Sequence, residues 1–411
     1  MKLDAAERDI LMKQCLNIGE GMYQVGAEIG RIEETLSRIG KAYGAEHVGA
    51  FAITSQIILT LEFPGMEAVT LSRRIRKRDA MDLARLERFM SLSRALEKEP
   101  LPVEALRTQV LDILSHRIRK EKLLLGEVLS GGAFALFFGG SPGDAAAAAL
   151  ICLLIYLFQE YVQPLCKSRM FFNLLISFMA GSCALLLTLA FPALNPDMIS
   201  IGNIMVLIPG VAITNSLRYT LSGDSISGLE KLIDSVLLAL GVAAGYMLAL
   251  YLLPSVSREA AVYPAWLQML LALAGTLGFC LIFNLEWRHM PAPVLGGALS
   301  WGLFIWLSGL GLGLFMSTLL TSAAVGLYGE LCAHLLKTPT TLYFIPCSIP
   351  LIPGGCLYYT LSALLFRRME DCSAYAGKLL LYLLGIALGI GLVTELEEMR
   401  RRLHARPKKS A

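Results

Sequence analysis

Two hydrophobic patterns divide the chain. From Leu11 to Tyr43 the apolar residues Cys15, Ile18, Met22, Val25, Ile29, Ile32, Leu36 and Ile39 recur every three or four positions, the seam of a helix that Gly19 and Gly21 would kink and Gly44 would end. Segments of strand character follow at Val48 to Thr54, Ile57 to Phe63 and Ala68 to Ile75, separated by Ser55-Gln56 and Pro64-Gly65-Met66, and in the second of them Ile57, Leu59, Leu61 and Phe63 alternate as a half-buried strand should. Asp79 is a candidate cap for a helix through Leu96, and Pro102 opens a further helix. Beyond residue 122 the alternation gives way to long apolar stretches of spanning length, at 123–140, 145–162, 171–192, 198–217 and 229–252, then 264–284, 292–308, 310–333, 342–366 and 373–395.

Inside this second region one tetrapeptide occurs twice. Leu207-Ile208-Pro209-Gly210 and Leu351-Ile352-Pro353-Gly354 lie 144 residues apart, and each is followed by Tyr-Thr-Leu-Ser, at 219–222 and 359–362. Gly241 and Gly245 match Gly385 and Gly389 at the same offset of 144. Proline removes a backbone donor and glycine loosens the helix, so the fourth and ninth stretches should each break. A repeat of five spans is odd, so the second copy enters the bilayer upside down relative to the first, a plan of many secondary transporters.

The predicted fold is an all-α polytopic membrane protein of about ten transmembrane helices, two inverted five-helix repeats behind an N-terminal cytoplasmic α+β domain. The expected domains are the α+β domain at 1–121, the first repeat at 122–255, the second at 256–396 and a basic cytoplasmic tail at 397–411.

Composition agrees with a membrane body: 55% of the 411 residues are hydrophobic and 17% charged, with the charges gathered at the two ends. The polar start of the chain resembles no secretory signal, so the N-terminus should remain in the cytoplasm. Lys167, Arg169, Arg218, Lys231, Arg288 and Lys337 then fall in inner loops, against Arg258, Arg367 and Arg368 outside, which places both termini in the cytoplasm and the protein in the cytoplasmic (inner) membrane. The nine Cys include no CxxC pair and read as small core residues. The basic run Arg73, Arg74, Arg76, Lys77 and Arg78 lacks interleaved aromatics and suits anionic lipid better than nucleic acid. No phosphate loop, nucleophile with a paired base or zinc spacing is present, so no cofactor or metal is expected and the chain does not read as an enzyme.

Discontinuous helices at matching positions of two halves are where a transporter binds its substrate. The candidate substrate-binding residues are therefore Pro209, Gly210, Thr214 and Asn215 around the first break, and Pro353, Gly354, Gly355, Tyr358 and Thr360 around the second. Ionisable residues within spans are costly, which makes Asp234, Lys378, Glu127 and Glu330 the proton-coupling candidates, Glu330 with His334 one turn later. Asp144, after Gly139-Gly140-Ser141-Pro142-Gly143, reads as a helix cap. Leu250 reads as lipid-facing.

These residues resemble the threonine/serine exporter family, in its fused form that joins the cytoplasmic domain to both five-span halves. The likeness runs from Gly26 to Glu33 and Asp82-Leu83, through Phe138-Gly139-Gly140, Asp144, Ile208 to Asn215, Gly223-Asp224 and Ser227-Gly228. It continues with Phe283-Asn284, Gly296 to Trp301, Ile349 to Gly355 and Tyr358. Similar proteins carry an acidic residue after Arg218, where this chain has Tyr219. The resemblance implies export of small hydroxylated amino acids driven by protons, with a succinate-like dicarboxylate as the alternative substrate; a homo-oligomer is left open. A different class also stays open: an enzyme or sensor domain anchored by its spans, in which the GxxxG pairs would only pack helices. The duplicated break separates the two, because an anchor needs none.

Overall fold

A computed structural model describes residues 4–75, 81–221, 225–253 and 259–405. The chain is mostly helical, at 77%, with one small sheet near the N-terminus. It divides into two units, Met1–Arg119 with the short segments Phe283–Glu286 and Lys337–Pro339, and the remainder.

In the first unit the long helical seam is two helices, α1 (Ala5–Gln24) and α2 (Ile29–Ala42). The break falls at Gly26, whose φ of +98° is open to glycine at little cost, and not at Gly19 or Gly21. Those two are packing glycines: a Cβ on Gly19 would meet Ile57 at 3.0 Å, and one on Gly21 would meet Phe89 at 2.6 Å. Strands β1 (His47–Ile53), β2 (Gln56–Glu62) and β3 (Val69–Arg74) form an antiparallel sheet in that order. Ile57, Leu59 and Leu61 on β2 are fully buried, each contributing about 1.5–3 kcal/mol by the transfer estimate.

Helices α3 (Leu83–Lys98) and α4 (Val103–Ser115) complete the unit. The cap of α3 is Asp82, which accepts from the Arg85 N–H; the expected cap Asp79 lies outside the described residues, as do Arg76, Lys77 and Arg78 of the basic run. Arg73 is held by Asn17 and Glu20 of α1. Burial pushes the Cys15 thiol up to about 12, so it stays protonated and inert at neutral pH.

The second unit is a run of helices: α5 (Lys120–Phe137), α6 (Pro142–Tyr161), α7 (Arg169–Ala190), α8 (Pro196–Leu207), α9 (Gly210–Leu221) and α10 (Ser225–Leu252). Then come α11 (Ala265–Ile282), α12 (Pro291–Gly309), α13 (Leu314–Leu336), α14 (Thr341–Ser348), α15 (Gly354–Leu365) and α16 (Met369–Ala405). Among the described residues seven helical segments are long and apolar enough to cross a membrane, or up to nine if each bent pair counts as one span. The expected ten includes α5, whose 18 residues carry Lys120, Glu121, Lys122 and Glu127 and so resemble a span least.

Local sequence sets the helix ends. Ser141 caps α6 in a capping box with Asp144, so the expected cap is the residue that reaches back to it, and Asn195-Pro196 start α8. Packing repeats along the chain: α5 on α6, α6 on α7 and α8, α7 on α8 and α10, and α9 on α10. The same pairs recur six helices later, α11 on α12, α12 on α13 and α14, α13 on α14 and α16, and α15 on α16. The two sets meet where α5 packs on α11, α9 on α16, and α10 and α8 on α15.

Candidate functional site

Each break contains an extended isoleucine followed by a proline and a glycine. Ile208 leaves the helical region at ψ 135°, Pro209 offers no N–H, and α9 restarts at Gly210 with a bend of 53° from α8. The second break is longer: Pro346 lies inside α14, a 3-10 turn spans Ile349–Leu351, Ile352 is extended at ψ 123°, and α15 begins at Gly354 after a bend of 43°.

The two breaks lie against each other. A Cβ on Gly210 would stand 2.5 Å from Ile352 Cγ2, and one on Gly354 would stand 2.4 Å from Met205 Sδ. Gly355 faces Phe138 and Ile201 at van der Waals distance. The N-terminal ends of both restarting helices, α9 and α15, thus lie close to the opposite break, and a helix start carries the positive end of its dipole.

The other candidates divide. Pro353, Gly354, Gly355 and Tyr358 are buried, and Pro209 and Asn215 half-buried. Thr214 and Thr360 each donate to the carbonyl one turn back, Gly210 O at 3.1 Å and Cys356 O at 2.7 Å, so their free lone pairs can only accept from a substrate. Tyr358 Oη donates to Asp197 Oδ1 at 2.7 Å, which ties α15 to α8.

Of the ionisable candidates, only Glu127 is enclosed, at 2% exposure. Glu330 is half-buried and accepts from Thr340 Oγ1 at 3.0 Å, while its expected relay partner His334 is exposed. Asp234 and Lys378, 144 residues apart, are both exposed, with Lys378 over the Tyr375 ring. Leu250, expected to face lipid, is half-buried and lines a small apolar crevice with Ile204, Tyr246 and Tyr358, because α10 turns that face toward α15.

Sequence reasoning passed over Asp197, Asn203 and Tyr246, and it placed Lys231 in an inner loop, whereas that residue lies buried within α10. Asp197 was hidden by Asn195-Pro196, which reads as a helix start, although Asn203 in Ile-Gly-Asn-Ile and Tyr246 in Ala-Gly-Tyr-Met are polar interruptions of apolar helices and were visible signals. The buried Lys231 ammonium lies 4.0 Å from the centroid of the Tyr219 ring, which gives this cation an aromatic partner.

In the first unit, the separated pairs Asp82-Leu83 and Phe283-Asn284 meet: Asn284 Nδ2 donates to Asp82 Oδ1 at 2.9 Å and the Leu83 N–H to Phe283 O at 2.9 Å.

With the paired breaks in view, comparison with known proteins decides the family. The family model ThrE, described as "Putative threonine/serine exporter", matches residues 13–253, and a second model, ThrE_2, described as "Threonine/Serine exporter, ThrE", matches residues 268–396. The chain belongs to the threonine/serine exporter family. It is 24% identical over 366 residues to a "Threonine/serine exporter" of Corynebacterium glutamicum, across 85% of this chain and 74% of that protein. It is also 22% identical over 255 residues to a "Probable succinate transporter subunit YjjP" of Klebsiella aerogenes, across 61% of this chain and 96% of that one. No solved structure matches. Membership of this exporter family, together with the apolar helices, makes the chain a multi-pass membrane protein and points to a transporter of small molecules rather than an enzyme.

Proposed function

We propose that the chain exports threonine and serine across the cytoplasmic membrane at the expense of the proton gradient, by alternating access between two inverted five-helix halves. The observation that carries this reading is the meeting of the two breaks, Gly210 against Ile352 and Gly354 against Met205. Two helix N-termini converge there to receive a carboxylate, and Asn215, Thr214, Tyr358 and Thr360 supply partners for an ammonium and a hydroxyl. The repeated packing of α5–α10 and α11–α16 supports two equivalent halves moving as bodies.

A dicarboxylate is the second reading, favoured by the Klebsiella relative and by the fact that converging N-termini serve any carboxylate. Proteoliposomes loaded with labelled threonine, serine or succinate should release the two amino acids faster when the outside is acidic; release of succinate alone would move the reading to the alternative.

Orientation has its own check. Single cysteines at Lys167 and Lys337, in a cysteine-free background, should react with an impermeant maleimide from the cytoplasmic side, and cysteines at Ala260 and Glu370 from the other. Labelling of the Glu370 position from the cytoplasm would rule out ten spans with both ends inside.

A further inference from the structure

The first half holds buried polar groups that its packing does not satisfy. Glu127 on α5 keeps one oxygen, Oε2, without a hydrogen-bond partner, while Gln159 on α6 bonds its carboxyl. Asn203 on α8 is fully buried, accepts from the Cys152 thiol at 3.4 Å through Oδ1, and has an unpartnered Nδ2. Tyr246 on α10 is 3% exposed and its hydroxyl is unpartnered too.

These groups are not scattered. Gly131, one turn along α5 from Glu127, abuts Cys152, and Gly202, beside Asn203, backs onto the Gly131 carbonyl. Cys152 and Tyr246 share one core cluster with Tyr358, and Tyr246 and Tyr358 line the same crevice. Tyr358 in turn donates to Asp197. The sequence of groups thus runs from a carboxyl near the start of α5 to a carboxyl at the start of α8, and the spacing along α8 from Asn203 to Asp197 is about 9 Å.

The duplication supplies a control. At an offset of 144, the positions of Glu127, Asp197, Asn203 and Tyr246 are Leu271, Thr341, Cys347 and Ile390. The second half builds the same helix pairs without these groups, so they are not a requirement of the fold.

We propose that Glu127, Asn203, Tyr246 and Asp197 of the first half, joined by Tyr358 of α15, form a proton line, with Glu127 and Asp197 as its two terminal carboxyls and water bridging the unpartnered atoms. This deepens the proton-coupled reading above and rests on it. In transfer, protonated Asp197 gives its proton to Tyr358 Oη as the Tyr358 proton leaves toward the next oxygen. The same exchange at Tyr246 and through water delivers one proton to Glu127, with no net change at the intermediate groups. Asn203 orients the water and carries no proton. On the helices packed against α5 the titratable groups are Asp144, Cys152, Tyr156, Glu160 and Tyr161 on α6, Asp197 on α8 at the far end of the line, and Cys280 on α11, while Lys120, Glu121 and Lys122 precede Glu127 on α5 itself. Around Tyr246 they are Cys152, Cys183 and Tyr358.

The test uses the full chain in proteoliposomes containing a pH dye, with wild type, Glu127→Gln and Tyr246→Phe compared. Threonine-for-threonine exchange should stay within about twofold of wild type, while uphill threonine movement and the coupled dye signal should fall about tenfold or more, the scale lost with an acid–base group. A wild-type dye signal in both variants overturns the line. Tyr246→Phe removes a single oxygen and keeps the ring, so it decides the matter even where Glu127→Gln does not fold. Wild-type threonine flux without any proton signal overturns coupling and the line together; proton-coupled succinate flux without threonine flux overturns only the substrate and leaves the line standing.

Discussion

Leucine at Gly210 is expected to abolish transport while the protein still inserts and folds. A Cβ there already falls 2.5 Å from Ile352 Cγ2 and 3.3 Å from Ile208 Cγ2. Ile352 cannot swing aside, because it is β-branched, extended and followed by proline. The opposite glycine is more forgiving, since the atom in its way is Met205 Sδ at 2.4 Å, part of an unbranched side chain with several rotamers. Alanine should therefore separate the two positions. Gly210→Ala should lower the export rate about tenfold, equivalent to about 1.4 kcal/mol on the barrier, and Gly354→Ala should lower it about two- to threefold, less than 1 kcal/mol. Export rates at equal membrane levels check this, and wild-type rates in both Gly210→Leu and Gly354→Leu would show that the breaks are kinks and the substrate site is elsewhere.

The second large effect is on stability. Valine at Gly245 would place a Cβ 2.3 Å from Leu174 O and 2.7 Å from Phe178 N, both backbone atoms of α7, so α7 and α10 must part. Gly389 repeats the arrangement against α13, with Leu319 O at 2.5 Å and Ser322 Oγ at 2.0 Å. Overpacking of this kind costs about 1–3 kcal/mol or more, and lost contact along the helix pair adds to it. Either valine variant should lose monodisperse protein in detergent and melt at lower temperature. Gly391→Ala is the control: nothing lies within 4 Å of its Cβ, and alanine in a helix gains about 0.5–1 kcal/mol over glycine, so its melting temperature should hold or rise.

Local and repeated signals were legible in the sequence; contacts across helices were not. The three strands were readable within a residue or two because Ile57, Leu59 and Leu61 alternate on a half-buried surface, and the two breaks because proline and glycine act on their own backbone. The turn between α1 and α2 was misplaced, since Gly19, Gly21 and Gly26 look alike in sequence and only tertiary packing assigns two of them to side-chain contacts and one to a positive φ. The count of spans stayed soft because hydropathy cannot weigh a charged helix such as α5. Asp234 attracted notice as a charge in an apolar run, yet it faces outward, whereas Asn203 carries no charge and is fully buried. Burial is a property of the partner helix, and one sequence does not name partners.

The two breaks differ in stiffness. The first contains one proline, Pro209, between two regular helices, while the second has Pro346, Pro350 and Pro353 within eight residues and a turn of 3-10 helix between them. Each proline fixes one φ near −65° and removes configurations that the chain would otherwise sample. A load shared between two joints in contact bends the more compliant one. The angle between α8 and α9 should therefore change through the transport cycle while that between α14 and α15 stays nearly constant, so that the second half acts as the anvil against which the first half works.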